Sequence, residues 1–114
     1  MLIASWNVNS IRSRLSQVTK WLEDKRPEVL CLQETKVSDK DFPYKTFEDI
    51  GYGVKFYGQK SYNGVAIISK VNISDIRYGF PGELNQLEIS EELLFQKRII
   101  SGLINGIRII NVYV

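Results

Sequence analysis

"VLCLQETK", Val29–Lys36, is the stretch on which the fold turns. Val29, Leu30, Cys31 and Leu32 form an unbroken apolar run that stops at Gln33-Glu34-Thr35-Lys36. An unbroken run, as opposed to an alternating one, reads as a strand buried on both faces, so layers must lie above and below its sheet. Yet the strand ends in a carboxylate. A buried, unpaired charge is costly, so Glu34 requires a cation, a strong donor or water at the end of the sheet.

Working outward, "LIASWNV" (2–8) reads as a strand with apolar side chains on both faces. Residues 11–26 carry Ile11, Leu15, Val18 and Leu22 at helical spacing, with Asn9 or Ser10 as the cap and Arg26-Pro27 as the stop. Strand, helix and strand with short links make a βαβ-like unit. Residues 38–50 read as a short, irregular helical connection ending at Gly51. Beyond it, 52–59, 64–70 and 73–80 are short strands with Gly, Asn and Ser punctuation, which suggest an antiparallel meander. "PGELNQLEISEELLFQK" (81–97) has no clear period and reads as a loop with a helical turn, its glutamates on a solvated face. Strands at 98–104 and 107–114 flank Asn105-Gly106, a type I′ hairpin signal. An apolar strand running to Val114 reads as part of a longer domain.

Bulk properties bound the class. The 114 residues suit one domain, and 44% hydrophobic with 25% charged residues is an ordinary globular composition. A net charge of +2 is compatible with a polyanionic partner and too small to argue for one. Cys31 is the sole cysteine, so no intramolecular disulfide forms, a reducing compartment is expected, and its apolar setting makes it a core residue. No signal peptide is visible at the N-terminus, and no apolar run approaches the ~20 residues of a membrane helix. The chain has no histidine, so any mechanism that needs an imidazole base is incomplete without another segment.

Strand ends collect sites in layered α/β folds, because rigid backbone holds side chains there within reach of solvent. Three candidates sit at such ends: Glu34 after the second strand, Asn7 at the end of the first, and Tyr113 near the end of the last. One carboxylate with a neutral amide suits Mg²⁺, which keeps several waters, and disfavours metals that require thiolate or imidazole. Each residue also has a purely structural reading. Glu34 pairs with Lys36 or caps the next segment, Asn7 holds a turn, and Tyr113 is a core tyrosine.

Four segments, "SWNVNSIR" (5–12), "LCLQETK" (30–36), "GQKSYNGVAIISK" (58–70) and "QKRIISGLINGIRIINVYV" (96–114), resemble in order and separation the exonuclease III-type AP endonucleases. These belong to the endonuclease/exonuclease/phosphatase superfamily, and the resemblance covers essentially all of residues 1–114. It implies an α/β fold, the N-terminal half of a four-layer α/β sandwich of the DNase I-like kind, with residues 1–114 as the N-terminal part of a single domain. It implies that Glu34 is a Mg²⁺ ligand, with Mn²⁺ able to substitute, and that Asn7 orients the metal site and the scissile phosphate. Tyr113 would contact that phosphate in a supporting catalytic role. Asn9 stands where some relatives carry an aspartate, which leaves it an outer role near the metal. Arg98 matches a family arginine beneath the site or on the substrate, while Lys36, Lys60, Tyr62, Asn63 and Gly64 border the DNA. Trp6 and Trp21 are assigned to the core.

The activity implied is Mg²⁺-dependent hydrolysis of double-stranded DNA, 5′ to an abasic site or at a 3′ terminus, in a cytoplasmic, nucleoid-associated, bacterial-type protein. The family's later aspartates and its aspartate–histidine pair are missing from these residues, so the chain alone is expected to be inactive or nearly so. Exposed sheet edges would favour self-association. Two rivals stay open: a truncated module that binds DNA or a partner without cleaving, and a relative acting on another phosphoester such as a phosphoinositide or sphingolipid.

Overall fold

Strands that are apolar at every position take the inner places of the sheet, and more polar strands take its edges. β2 (Val29–Gln33) and β4 (Val65–Ser69) are buried almost end to end and lie side by side. The computed structural model describes residues 1–80 and 96–114. Within them, β1 (Ile3–Asn7) and β3 (Gly53–Tyr57) flank the inner pair to give sheet A in the order β1-β2-β4-β3. β1 runs parallel to β2, with Asn7 opposite Gln33, and α1 (Ile11–Lys25) makes the crossover. β5 (Ser74–Tyr78), β6 (Ile99–Ile104) and β7 (Ile107–Val112) form the antiparallel sheet B.

α1 forms where its periodicity demands. Ile11, Val18 and Leu22 turn to the core, and Ser10 caps the start by accepting from the Ser13 amide at 3.3 Å. Arg26 ends the helix in the left-handed region (φ 46°), its amide on the Leu22 carbonyl, just before Pro27. The short α2 (Tyr44–Glu48) follows a single 3₁₀ turn and buries Phe47. The two helices cover one face of sheet A around Leu30, Leu32 and Ile68. Sheet B covers the other, packing Ile100, Ile104 and Ile109 on Val29, Cys31 and Ile67. Helices, sheet A and sheet B are thus three stacked layers, consistent with the expected α/β sandwich. No helix among the described residues is long and apolar enough to cross a membrane.

Several expectations change. The meander over 52–80 breaks after β4, because β2 and β3 already occupy both edges of β4, and β5 therefore pairs with β6 in the other sheet. β1 carries apolar side chains on both faces as expected, but as an edge strand it packs Ala4 and Trp6 on the core and leaves Leu2 and Ile3 exposed. Trp6 and Trp21 meet edge to face at the core's margin, 6.0 Å between ring centres, and are only partly buried. The last strand ends at Val112, and the helical turn expected within 81–97 falls almost wholly outside the described residues. The Asn105-Gly106 turn holds, with φ of 52° and 77° at its two positions as type I′ geometry requires.

The edges of β1 and β7 bound an open cleft of about 480 Å³ between the sheets, lined in part by Ile3, Ser5, Gln33 and Asn111. Ile110 and Val112, on the outer face of sheet B, are exposed. At the opposite edge the fit is tight. A Cβ on Gly58 would stand 2.2 Å from the Val37 carbonyl oxygen, while the Gly58 amide donates to Asp39 Oδ1 at 2.7 Å. Gly58→Ala must therefore displace backbone, and urea denaturation should show a loss of about 1–3 kcal/mol. Unchanged stability would mean that this loop yields freely.

Candidate active site

Three loops converge where β1 and β2 end. The Ser10 amide donates to the Glu34 carbonyl at 2.8 Å and the Ile11 amide to the Thr35 carbonyl at 3.0 Å. From the other side, the Thr35 and Lys36 amides donate to the carbonyls of Gly64 (3.2 Å) and Asn63 (3.0 Å). Non-glycine residues in the left-handed region are uncommon, yet six of the nine among the described residues gather here: Asn9, Ser10, Glu34, Lys36, Ser61 and Asn63. Such clustering of strained backbone is typical of functional sites, where cross-loop bonds hold it in place.

The strain at Glu34 has a direct consequence. Leu30 and Leu32 point to the helices, and strand alternation would send Glu34 the same way. A φ of 57° at Glu34 ends the alternation, and its carboxylate instead accepts a hydrogen bond from the Tyr113 hydroxyl through Oε1. Lys36 Nζ lies 3.9 Å from Glu34 Oε2 and donates to Asn9 Oδ1 at 2.6 Å. The pairing of Glu34 with Lys36 is thus loose, and Oε2 accepts no hydrogen bond among the described residues. The side chain of Glu34 keeps 20% of its surface open.

Tyr113 is held from behind. Its amide donates to the Arg98 carbonyl at 2.8 Å, and the Arg98 guanidinium stacks on its ring at 4.8 Å. The hydrogen bond to Glu34 pushes the phenol's pKa above its ordinary value, aided by desolvation and by the negative charge of Glu34. Tyr113 is therefore a protonated donor at neutral pH. Burial raises the Cys31 thiol to about 11, which leaves it inert and agrees with its place in the core.

The other sequence candidates divide. Asn7 is exposed, and its Oδ1 accepts the Asn9 amide at 3.1 Å and so holds the turn. Asn63 and Gly64 work through their backbone, and a Cβ on Gly64 (φ +95°) would stand 2.1 Å from Thr35 Oγ1. Lys60 and Tyr62 are exposed on the same loop, Tyr62 by 70%. Sequence reasoning passed over Gln33 and Asn111. The Asn111 amide donates to the carbonyls of Leu32 and Ala66, both at 2.8 Å, and accepts from Gln33 Nε2 at 2.7 Å. The available signal was a polar residue on the inward face of an alternating strand, between Ile109 and Tyr113.

No group of three His, Cys, Asp or Glu side chains gathers among the described residues. The donors at this end of the sheets are hard oxygens: Glu34 Oε2, 3.9 Å from Lys36 Nζ and accepting no hydrogen bond among the described residues, and across the strands the amide oxygens of Asn7 and Asn9, each of which accepts one hydrogen bond and keeps a second lone pair. Such a set fits Mg²⁺, which takes one or two carboxylates and fills its shell with water and phosphate oxygens. It does not fit a structural zinc site.

The Endonuclease/Exonuclease/phosphatase family model matches residues 4–105. The chain belongs to this family. It is 43% identical over 81 residues to exodeoxyribonuclease III of Haemophilus influenzae, a match covering 71% of this chain and 30% of that protein. Its fold superposes on an AP endonuclease from Archaeoglobus fulgidus with a TM-score of 0.88 and 46% identity, over 100% of this chain and 41% of the other. A 3′ phosphatase, NExo, from Neisseria, solved bound to a product DNA hairpin, matches with a TM-score of 0.87 and 40% identity, over 99% and 41%. These neighbours place the fold in the DNase I-like class, of which the chain is a partial domain. It spans about 30% to 41% of the relatives' length.

Two measurements probe the site. Because the phenol of Tyr113 is raised, its hydrogen bond stabilises the fold below about pH 10 and that contribution fades as pH rises further. Absorbance titration of the wild type against Tyr113→Phe should show the missing phenol ionising above the ordinary tyrosine range; a midpoint at or below it contradicts the contact. Gly64→Ala should lose at least about 1–2 kcal/mol of stability, since it combines left-handed strain with the Thr35 clash.

Proposed function

We propose that this family member serves a Mg²⁺-dependent phosphodiesterase acting on double-stranded DNA, 5′ to abasic sites or at 3′ termini, and that residues 1–114 hold the metal-side half of its site. The observation that carries the reading is the re-aimed Glu34, one carboxylate oxygen held by Tyr113 and the other only loosely paired with Lys36, on a side chain that keeps 20% of its surface open. The names of the relatives, nucleases and AP endonucleases, support the substrate class.

In this reading Glu34 Oε2, with Asn7 beside it, holds the divalent ion. The ion supplies charge stabilisation at the phosphate oxygens when bound. Tyr113 keeps its proton, fixes the carboxylate's orientation and contacts the scissile phosphate in a supporting role. Arg98 braces the ring. Asn9 steadies Lys36, and Lys36, Lys60, Tyr62 and the Asn63-Gly64 turn line the approach of the DNA backbone. Water attacking phosphorus in line needs a proton acceptor, and the chain offers no histidine for it. The chain by itself is therefore expected to be inactive or nearly so. We assign the protein to the cytoplasm, near the nucleoid, and expect the bare edges of β1 and β7 to drive self-association at high concentration.

The test is cleavage of a duplex carrying one abasic-site analogue, with Mg²⁺ and with EDTA, by the chain alone and by the chain joined by the C-terminal part of a relative. Cleavage only in the complemented, Mg²⁺-containing reaction, reduced about 100-fold or more by Glu34→Ala, is the expected result. Cleavage by the chain alone would overturn the assignment of the proton acceptor to another segment. Absence of cleavage with both parts folded and associated would favour a module that binds without cutting. Binding to the same duplex should weaken with salt, and Lys60→Ala should lower the log–log slope by about 1 if it meets a phosphate.

A further inference from the structure

A buried amide between two sheets is ordinarily only a satisfied core group. The surroundings of Asn111 give it a further task. β7 turns Ile109, Asn111 and Tyr113 toward sheet A, while Ile110 and Val112 face away. Asn111 is 3% exposed, and both its amide hydrogens and its oxygen are engaged. Its two acceptors, Leu32 and Ala66, stand opposite each other on the two inner strands of sheet A. Gln33 completes the clamp, its Nε2 donating to Asn111 Oδ1 at 2.7 Å and to Ser5 Oγ of β1 at 3.0 Å. One side chain of sheet B is thereby tied to three strands of sheet A.

The spacing connects this clamp to the site. Asn111 meets Leu32 across a sequence separation of 79, and Tyr113 meets Glu34 across the same 79. Both contacts therefore follow from one alignment of β7 and its extension over β2 and its extension, two residues apart in each chain segment. A slip of one residue in the pairing of β7 with β6 would turn Asn111 and Tyr113 outward together. Apolar neighbours such as Ile100 and Ile104 tolerate small displacements, whereas three directional hydrogen bonds do not.

We propose that Asn111, with Gln33 as its partner, is the positioning residue that sets the Tyr113 hydroxyl on the Glu34 carboxylate. Calling that pair the working centre rests on the phosphodiesterase reading above. The test reads the contact itself, so it succeeds or fails independently of nuclease activity. Coupling between Glu34→Gln and Tyr113→Phe is measured by a double-mutant cycle in urea, in the wild-type chain and again in Asn111→Ala and Gln33→Met backgrounds. The expected result is a clear coupling in the wild type that is lost in Asn111→Ala and reduced in Gln33→Met. A lower stability with the coupling intact in both backgrounds would reduce Asn111 to a core amide and overturn the proposal. Should Asn111→Ala fail to fold, Asn111→Asp keeps the size and an acceptor but cannot donate to the two carbonyls. The same loss of coupling is expected there, and its retention overturns the proposal equally.

Discussion

The hydrogen bonds of the buried Asn111 amide tie the two sheets together beside the site, where the Gly64 amide on the Lys97 carbonyl (2.8 Å) and the Lys97 amide on Gln59 Oε1 (2.9 Å) also cross between them. Apolar packing between β6–β7 and β2–β4 supplies the attraction, but aliphatic side chains alone would permit neighbouring alignments of similar energy. Asn111 narrows that freedom, because in this alignment both its amide hydrogens meet carbonyls, those of Leu32 and Ala66. Each such bond contributes roughly 1 kcal/mol net, while leaving the buried amide unsatisfied costs more, so wrong registers are penalised more than the right one is rewarded. Everything at the end of the sheets inherits this alignment, including the meeting of a phenol from β7's extension with a carboxylate from β2's.

The second constraint is local. Regular strand geometry would have continued the alternation of β2 and delivered Glu34 to the helix side. The chain instead adopts left-handed backbone at Glu34 and again at Lys36, a cost of roughly 1–2 kcal/mol each. The loops at 8–11 and 61–64 offset it, donating to or accepting from the backbone of Glu34, Thr35 and Lys36 on both sides. Gly64 permits the close approach, since any side chain there would strike Thr35. A carboxylate that would otherwise be tucked against apolar helix residues is brought to the surface, with one oxygen held and one free.

The fold was largely legible because its signals are local. The apolar run at 29–32, the helical spacing from Ile11 to Leu22, the Ser10 cap and the Asn105-Gly106 turn each name an element without reference to the rest of the chain. Pairing partners were less legible. β5 follows β4 closely in sequence, yet it crosses to the other sheet, because the two edges of β4 were already taken by β2 and β3. The exposure of Leu2 and Ile3 was hidden for the same reason, since whether an apolar strand lies at an edge depends on its neighbours.

At the site, residue types in the sequence were enough to single out Glu34, Asn7 and Tyr113, since strand ends are where a layered α/β fold exposes rigidly held polar groups. The lack of histidine and the single cysteine in an apolar run likewise follow from the sequence alone, and they leave these residues with hard oxygen donors to offer at the site. Only the tertiary structure decided that Glu34 faces Tyr113 closely and Lys36 loosely, that Asn63 and Gly64 act through their backbone, and that Asn111 and Gln33 join the sheets. The physical reason is range. Helix period, turn type and apolar run length are set by neighbours a few residues apart, whereas a contact across 79 residues depends on how two sheets align.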